Sequence, residues 1–193
     1  RGSLLLVFLL PILYTPLRTG IEGWWENSLS ETQLYVPETV YVTPSQQPLE
    51  TIPWWVSIQY MSSVVGNLPP GVKVAATEYG YLASENLHAV IIDMAGLHDK
   101  GLVLSGFSSS RILSRYPDFI WMPHTDYTLF RKMLLDDPVF RELYDYYPGV
   151  FNYGVALRLG SSSYREALTA LDSVFSRAYP GRELADYCAL PVK

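Results

Sequence analysis

From Pro53 onward the chain alternates between two hydrophobic rhythms, and this alternation restricts its fold more than any other feature. Trp54, Ile58, Met61, Val65 and Leu68 recur at helical spacing, which predicts a helix over residues 53–67 with Trp54 on its buried stripe. Pro53 suits the first turn, and Pro69-Pro70-Gly71 stops the helix. Residues 72–77 (VKVAAT) and 89–93 (AVIID) run apolar without alternation, as strands covered on both faces do. The second is expected at the centre of a sheet. Residues 78–85 read as a short helix or turn between them, and 119–122 (FIWM) as a third strand. Residues 101–110 read as a Gly/Ser-rich loop, followed by a short helix over 111–115. Further helices are expected over 127–136, capped by Thr125 or Asp126, and from Asp137-Pro138 to about residue 145. Phe151, Tyr153, Val155, Leu157 and Leu159 alternate with Asn152, Gly154, Ala156 and Arg158, the pattern of an edge or antiparallel strand with one wetter face. The last helix opens on a capping box, Ser163-x-x-Glu166, carries Tyr164, Leu168, Leu171, Phe175 and Ala178 on its apolar stripe, and ends at Pro180-Gly181. Helices interleaved with short apolar strands imply an α/β fold: a small, mainly parallel sheet flanked by helices, with an added antiparallel edge strand.

The N-terminal fifth has another character. Residues 4–14 (LLLVFLLPILY) are apolar throughout except for the break at Pro11. Eleven residues fall short of the roughly 20 a membrane helix needs, so the run is expected to be the end of a membrane helix. A buried core segment and a signal peptide are the other readings. Trp24 and Trp25 follow where interfacial aromatics gather. Between Thr15 and Val72 the only basic residue is Arg18, against Glu22, Glu26, Glu31, Glu38 and Glu50. Cytoplasmic flanks are rich in Lys and Arg, so this flank is expected outside the cytoplasm. The chain thus divides into residues 1–15, the end of a membrane helix; 16–50, a proline-interrupted extended connector; and 51–193, the α/β domain.

Composition narrows the function. With 49% apolar and 17% charged residues the chain is not a disordered one. A net charge of −5 argues against a nucleic-acid partner. The single cysteine, Cys188, leaves neither an internal disulfide nor a cysteine-based metal cluster. His98-Asp99 and His124-x-Asp126 place imidazoles beside carboxylates, but no helical metal-binding pair occurs and no metal is expected. The stretch after the first strand, Thr77-Glu78-Tyr79-Gly80, is neither a dinucleotide fingerprint nor a phosphate loop, so no cofactor is expected. Ser105-Gly106-Phe107-Ser108 is no nucleophile elbow, and no catalytic residue is assigned. Ligands of open α/β sheets bind beyond the carboxyl ends of the strands. Glu78, Asp93, His98 and Asp99 follow the first two strands and are the candidate ligand-binding residues, although Asp93 can equally cap the turn after its strand. The 15 tyrosines and five tryptophans could form a sugar-stacking surface, but core packing is the ordinary use of such residues.

The order Leu68-Pro-Pro-Gly-Val-Lys-Val-Ala75, Glu78-Tyr-Gly-Tyr-Leu82, Val90-Ile-Ile-Asp-Met-Ala-Gly-Leu97-His-Asp99 and Tyr116-Pro-Asp-Phe-Ile120 resembles the soluble C-terminal domain of bacterial multi-pass membrane glycosyltransferases of the arabinosyl- and mannosyltransferase type. The resemblance covers about a third of the chain. It implies an extracytoplasmic accessory domain of an enzyme that transfers a sugar from a polyprenyl-phosphate donor to a cell-envelope acceptor. The implied partners are the membrane, the membrane-embedded part of the same protein, and a glycan or lipid-linked acceptor. The family's catalytic acids lie in early loops that no part of this chain matches. The alternative is a stand-alone periplasmic α/β module with a small ligand near Glu78, Asp93 and Asp99. A self-sufficient hydrolase would need a catalytic constellation that the sequence does not display.

Overall fold

The computed structural model describes residues 48–189. The apolar run at 4–14, Trp24-Trp25 and nearly all of the connector lie outside the described residues. No helix of the described residues is long and apolar enough to cross a membrane.

Five short strands form one sheet in the order β2-β1-β3-β5-β4: β1 (Lys73–Ala76), β2 (Val90–Asp93), β3 (Phe119–Trp121), β4 (Tyr144–Tyr147) and β5 (Val155–Arg158). β1 pairs in parallel with β2 and β3, while β5 runs antiparallel to both β3 and β4. Four strands therefore point one way and β5 the other, an α/β fold with a mainly parallel sheet and antiparallel pairing at one side. β2 is a sheet edge rather than its centre, and Val90 is half exposed there. Its run of β-branched residues imitates a central strand because Ile92 and Asp93 are buried at its inner end.

Among the described residues seven α-helices accompany the strands: α1 (Trp54–Gly66), α2 (Tyr79–Glu85), α3 (Lys100–Ser105), α4 (Ser109–Leu113), α5 (Thr128–Asp136), α6 (Pro138–Leu143) and α7 (Tyr164–Ala178). α1 packs against α2 and α7, and α4, α5 and α6 pack on one another. Every residue of β3 is buried, as are Val155, Ala156 and Leu157 of β5. Burial of consecutive residues requires cover on both faces of the sheet. The wetter face expected for β5 is accordingly absent: Ala156 has no exposed surface.

Several boundaries differ from the sequence expectation. Residues 101–105 are helical because the Asp99 carboxylate caps α3, accepting bonds from the Gly101 and Leu102 amides. The helix begun at Asp137-Pro138 ends at Leu143, and Tyr144–Tyr147 pairs with β5 as an additional edge strand. Phe151 and Asn152 turn with φ of 49° and 71°, so β5 starts only at Val155. Gly154 allows that entry, since it has φ +91° and a Cβ there would lie 2.9 Å from the Tyr146 ring. His124 is the acceptor for the Asp126 amide and opens the 3-10 turn Thr125–Tyr127 before α5. Ser163 occupies the cap position of α7 without making a side-chain capping bond. Its hydroxyl instead meets that of Ser161 at 2.9 Å. The buried face of α7 carries Ala167, Ala170, Leu171, Val174 and Phe175, so Tyr164 and Leu168 lie at its margin.

Candidate functional site

The strand order reverses direction around β1: β2 lies on one side and β3 on the other. Crevices at the carboxyl ends of such strands are where open α/β sheets hold ligands. A groove of about 490 Å³ opens there, lined by the first turns of α1, the end of β1, the start of α2 and the loop after β2. Trp54, Trp55, Tyr79 and Tyr81 supply its aromatic surface, and Gln59, Thr77, Glu78 and His98 its polar groups.

Local structure explains each position. The buried face of α1 carries Ile58, Met61, Val64 and Val65. Both tryptophans open α1 ahead of its first buried position, Ser57. Trp54 and Trp55 are 58% and 54% exposed, which overturns the expected place of Trp54 on the buried stripe. Glu78 precedes α2 and makes no capping bond with its side chain. Tyr79 and the exposed His98 stack with ring centroids 4.8 Å apart. Thr77 Oγ1 accepts the His124 amide at 3.1 Å, tying the ends of β1 and β3 together behind the groove.

The four candidate residues separate into two pairs. Asp93 is buried, with Oδ1 accepting from the Gly96 amide at 3.0 Å and Oδ2 from the His98 amide at 2.7 Å. It closes the turn after β2, and Gly96, at φ +81° with Leu102 Cβ 3.0 Å from where a Cβ would sit, makes that turn possible. Asp99 caps α3 and forms an ion pair with Arg115. The Arg115 hydrogen bond, supported by the Leu102 amide, holds its carboxyl below the ordinary value. These bonds give Asp93 and Asp99 architectural work, and both border a second groove, along β2. Glu78 and His98 face the aromatic groove, and His98 borders both.

The carboxylates of Glu78, Asp93 and Asp126 stand near this end of the sheet. Burial and then the carboxylates of Glu78, Asp126 and Asp93 raise the Tyr127 hydroxyl above its ordinary value. Burial followed by Glu78 and Asp126 pushes Tyr153 up to about 12. Both phenols are neutral at physiological pH. No Lys or Arg is among the described residues of the aromatic groove, so its chemistry suits an uncharged polar ligand better than a phosphate or carboxylate. Among the described residues no three His, Cys, Asp or Glu side chains gather closely enough to hold a metal ion.

Sequence reasoning missed Trp54, Trp55, Tyr79 and Tyr81 as site residues. The chain matches no protein-family model, no curated protein and no solved structure.

Proposed function

We propose that this domain is the accessory extracytoplasmic part of a membrane glycosyltransferase that moves a sugar from a polyprenyl-phosphate donor to a cell-envelope acceptor. Its task in that enzyme is to hold the saccharide portion of the acceptor. The observation that carries the reading is the convergence of Trp54, Trp55, Tyr79 and Tyr81 with Glu78, Gln59 and Thr77 in one open groove. Aromatic faces cover the C–H faces of a sugar ring, and a few polar groups orient its hydroxyls. The chemical step belongs to residues outside this chain. Leu97, Val103 and Leu104 are each more than 60% exposed, which fits a domain that works beside lipid or the membrane-embedded part of its own protein.

In the enzyme carrying this domain, Trp54→Ala or Trp55→Ala should raise the acceptor KM about tenfold or more with kcat nearly unchanged, the signature of lost binding that is uniform between ground and transition state. An unchanged KM in both variants contradicts the proposal. The alternative is a stand-alone periplasmic module, favoured by the groove's place at the strand ends. It predicts saccharide binding with no effect of either variant on any transferase.

A further inference from the structure

We infer that the aromatic groove is one half of a longer track that takes a linear, uncharged oligosaccharide, continuing past the Tyr79–His98 stack and along the edge of β2 to Tyr116. The inference rests on the saccharide reading above and extends it from a single sugar to a chain.

The second groove, about 440 Å³, is lined by Val90, Ile91, Ile92 and Asp93 together with Lys73, Arg115 and Tyr116, and it shares Tyr79 and His98 with the first. Consecutive strand residues point to opposite faces, so four in a row can line one groove only from the strand's edge. Among the described residues nothing pairs with that edge of β2. Val90 donates to Val72 at 2.8 Å and Met94 to Ala76 at 3.0 Å on the inner side. By the alternation of a parallel ladder, Ile91 and Asp93 turn their N–H and C=O groups outward. Ile91, partly exposed, offers its pair at the strand's edge, while Asp93 is buried.

The charged groups of this groove are already engaged. Arg115 pairs with Asp99, Lys73 Nζ donates to the Arg115 carbonyl at 3.1 Å, and Asp93 holds the Gly96 and His98 amides. What remains is the backbone edge at Ile91 and the spare donors of the Lys73 ammonium, between two aromatic surfaces, which suits a hydroxyl-rich neutral chain. A peptide strand is less well served, because Lys73 and Arg115 border the edge in the way that blunts strand pairing. The far end is marked by Tyr116, 58% exposed and held at φ 53°, a conformation that is strained for an aromatic residue. The Arg158 guanidinium lies 6.0 Å from its ring centroid and steadies it.

The test uses the full chain in detergent, titrated calorimetrically with linear mannose and linear arabinose oligosaccharides of increasing length. In the series that binds, oligomers longer than the disaccharide should bind about tenfold or more tighter than the disaccharide. Tyr116→Gly should cancel that gain while keeping disaccharide affinity and a thermal midpoint close to wild type, since glycine relieves the backbone. Affinity that stays flat beyond the disaccharide, or a gain that survives Tyr116→Gly, overturns the track but leaves the aromatic groove standing. Absence of binding by every oligomer of both series overturns both. Displacement of a bound oligosaccharide by an extended Thr-Val peptide at lower concentration assigns the β2 edge to strand pairing and also overturns the track.

Discussion

Asp118 fastens four separate parts of the domain. Its Oδ1 accepts from Arg158 Nη2 at 2.5 Å and from Ser161 Oγ at 2.6 Å, and its Oδ2 accepts from the Lys73 amide at 3.0 Å. The starts of β1 and β3, the end of β5 and the approach to α7 meet on this carboxylate. Burial by itself would raise its pKa, but the bonds from Ser161, the Lys73 amide and Arg158 outweigh burial and lower it. A carboxyl depressed in the folded state contributes stability that is complete above its unfolded value of about 4 and drains as pH falls through the lower folded value. Asp118→Ala should cost about 2–4 kcal/mol at neutral pH, because it also strands a largely buried guanidinium. Urea titrations from neutral to pH 3 should show the gap between wild type and variant narrowing with acid; a constant gap contradicts the role. Asp93→Asn should cost less, about 1–2 kcal/mol, and Gly96→Val more than that, since it strains the turn and meets Leu102. A large loss of transfer activity in Asp93→Asn at unchanged stability would instead make Asp93 a ligand-binding residue. Asp93 was legible as a cap because its acceptors serve amides within five residues. The role of Asp118 was not, because Arg158 and Lys73 lie 40 and 45 residues away, and local patterns carry no trace of such partners.

At the scale of elements, β2 and β3 separate edge from centre. Ile120 in β3 has no exposed surface, whereas Val90 in β2 is half exposed. Ile120→Asp should cost about 4 kcal/mol or more by burying an unpaired carboxylate, while Val90→Asp should stay within about 1 kcal/mol. Comparable losses for the two in a denaturant titration would contradict the strand order. β1, β2 and β3 were readable because their runs are short, apolar and punctuated by Pro and Gly. β4 was not: tyrosine favours strands, but Tyr144, Asp145, Tyr146 and Tyr147 follow a helical turn directly, and only their pairing with β5 reveals the boundary. α3 escaped notice because Gly101 and Ser105 look loop-like, while the Asp99 cap and the packing of Leu102 against Gly96 decide the matter. The expected stripe of α1 was right for Ile58, Met61, Val65 and Leu68, all buried, and failed at Trp54, which lies in the first turn and lines the groove.

For the whole molecule, the membrane reading of the apolar run at residues 4–14 and the proposed saccharide role of the aromatic groove predict a protein with one end in lipid and one domain in water. A chain beginning at Pro16 should remain in solution without detergent, while the full chain should partition into detergent micelles; equal behaviour of the two removes the membrane reading. That α/β architecture was legible in the alternation of hydrophobic period, whereas the groove was not, because its aromatic residues come from α1, α2 and the neighbouring loops and meet only after folding. The most direct measurement is amide chemical-shift mapping of the isotope-labelled chain during titration with the arabinose or mannose oligosaccharide that binds it. Shifts concentrated at Trp54, Trp55, Glu78, Tyr79, Tyr81 and His98, with the amides of α7 unmoved, are the predicted result. No shifts with any oligosaccharide of either series, or shifts gathered at α7 and away from the strand ends, would contradict the account.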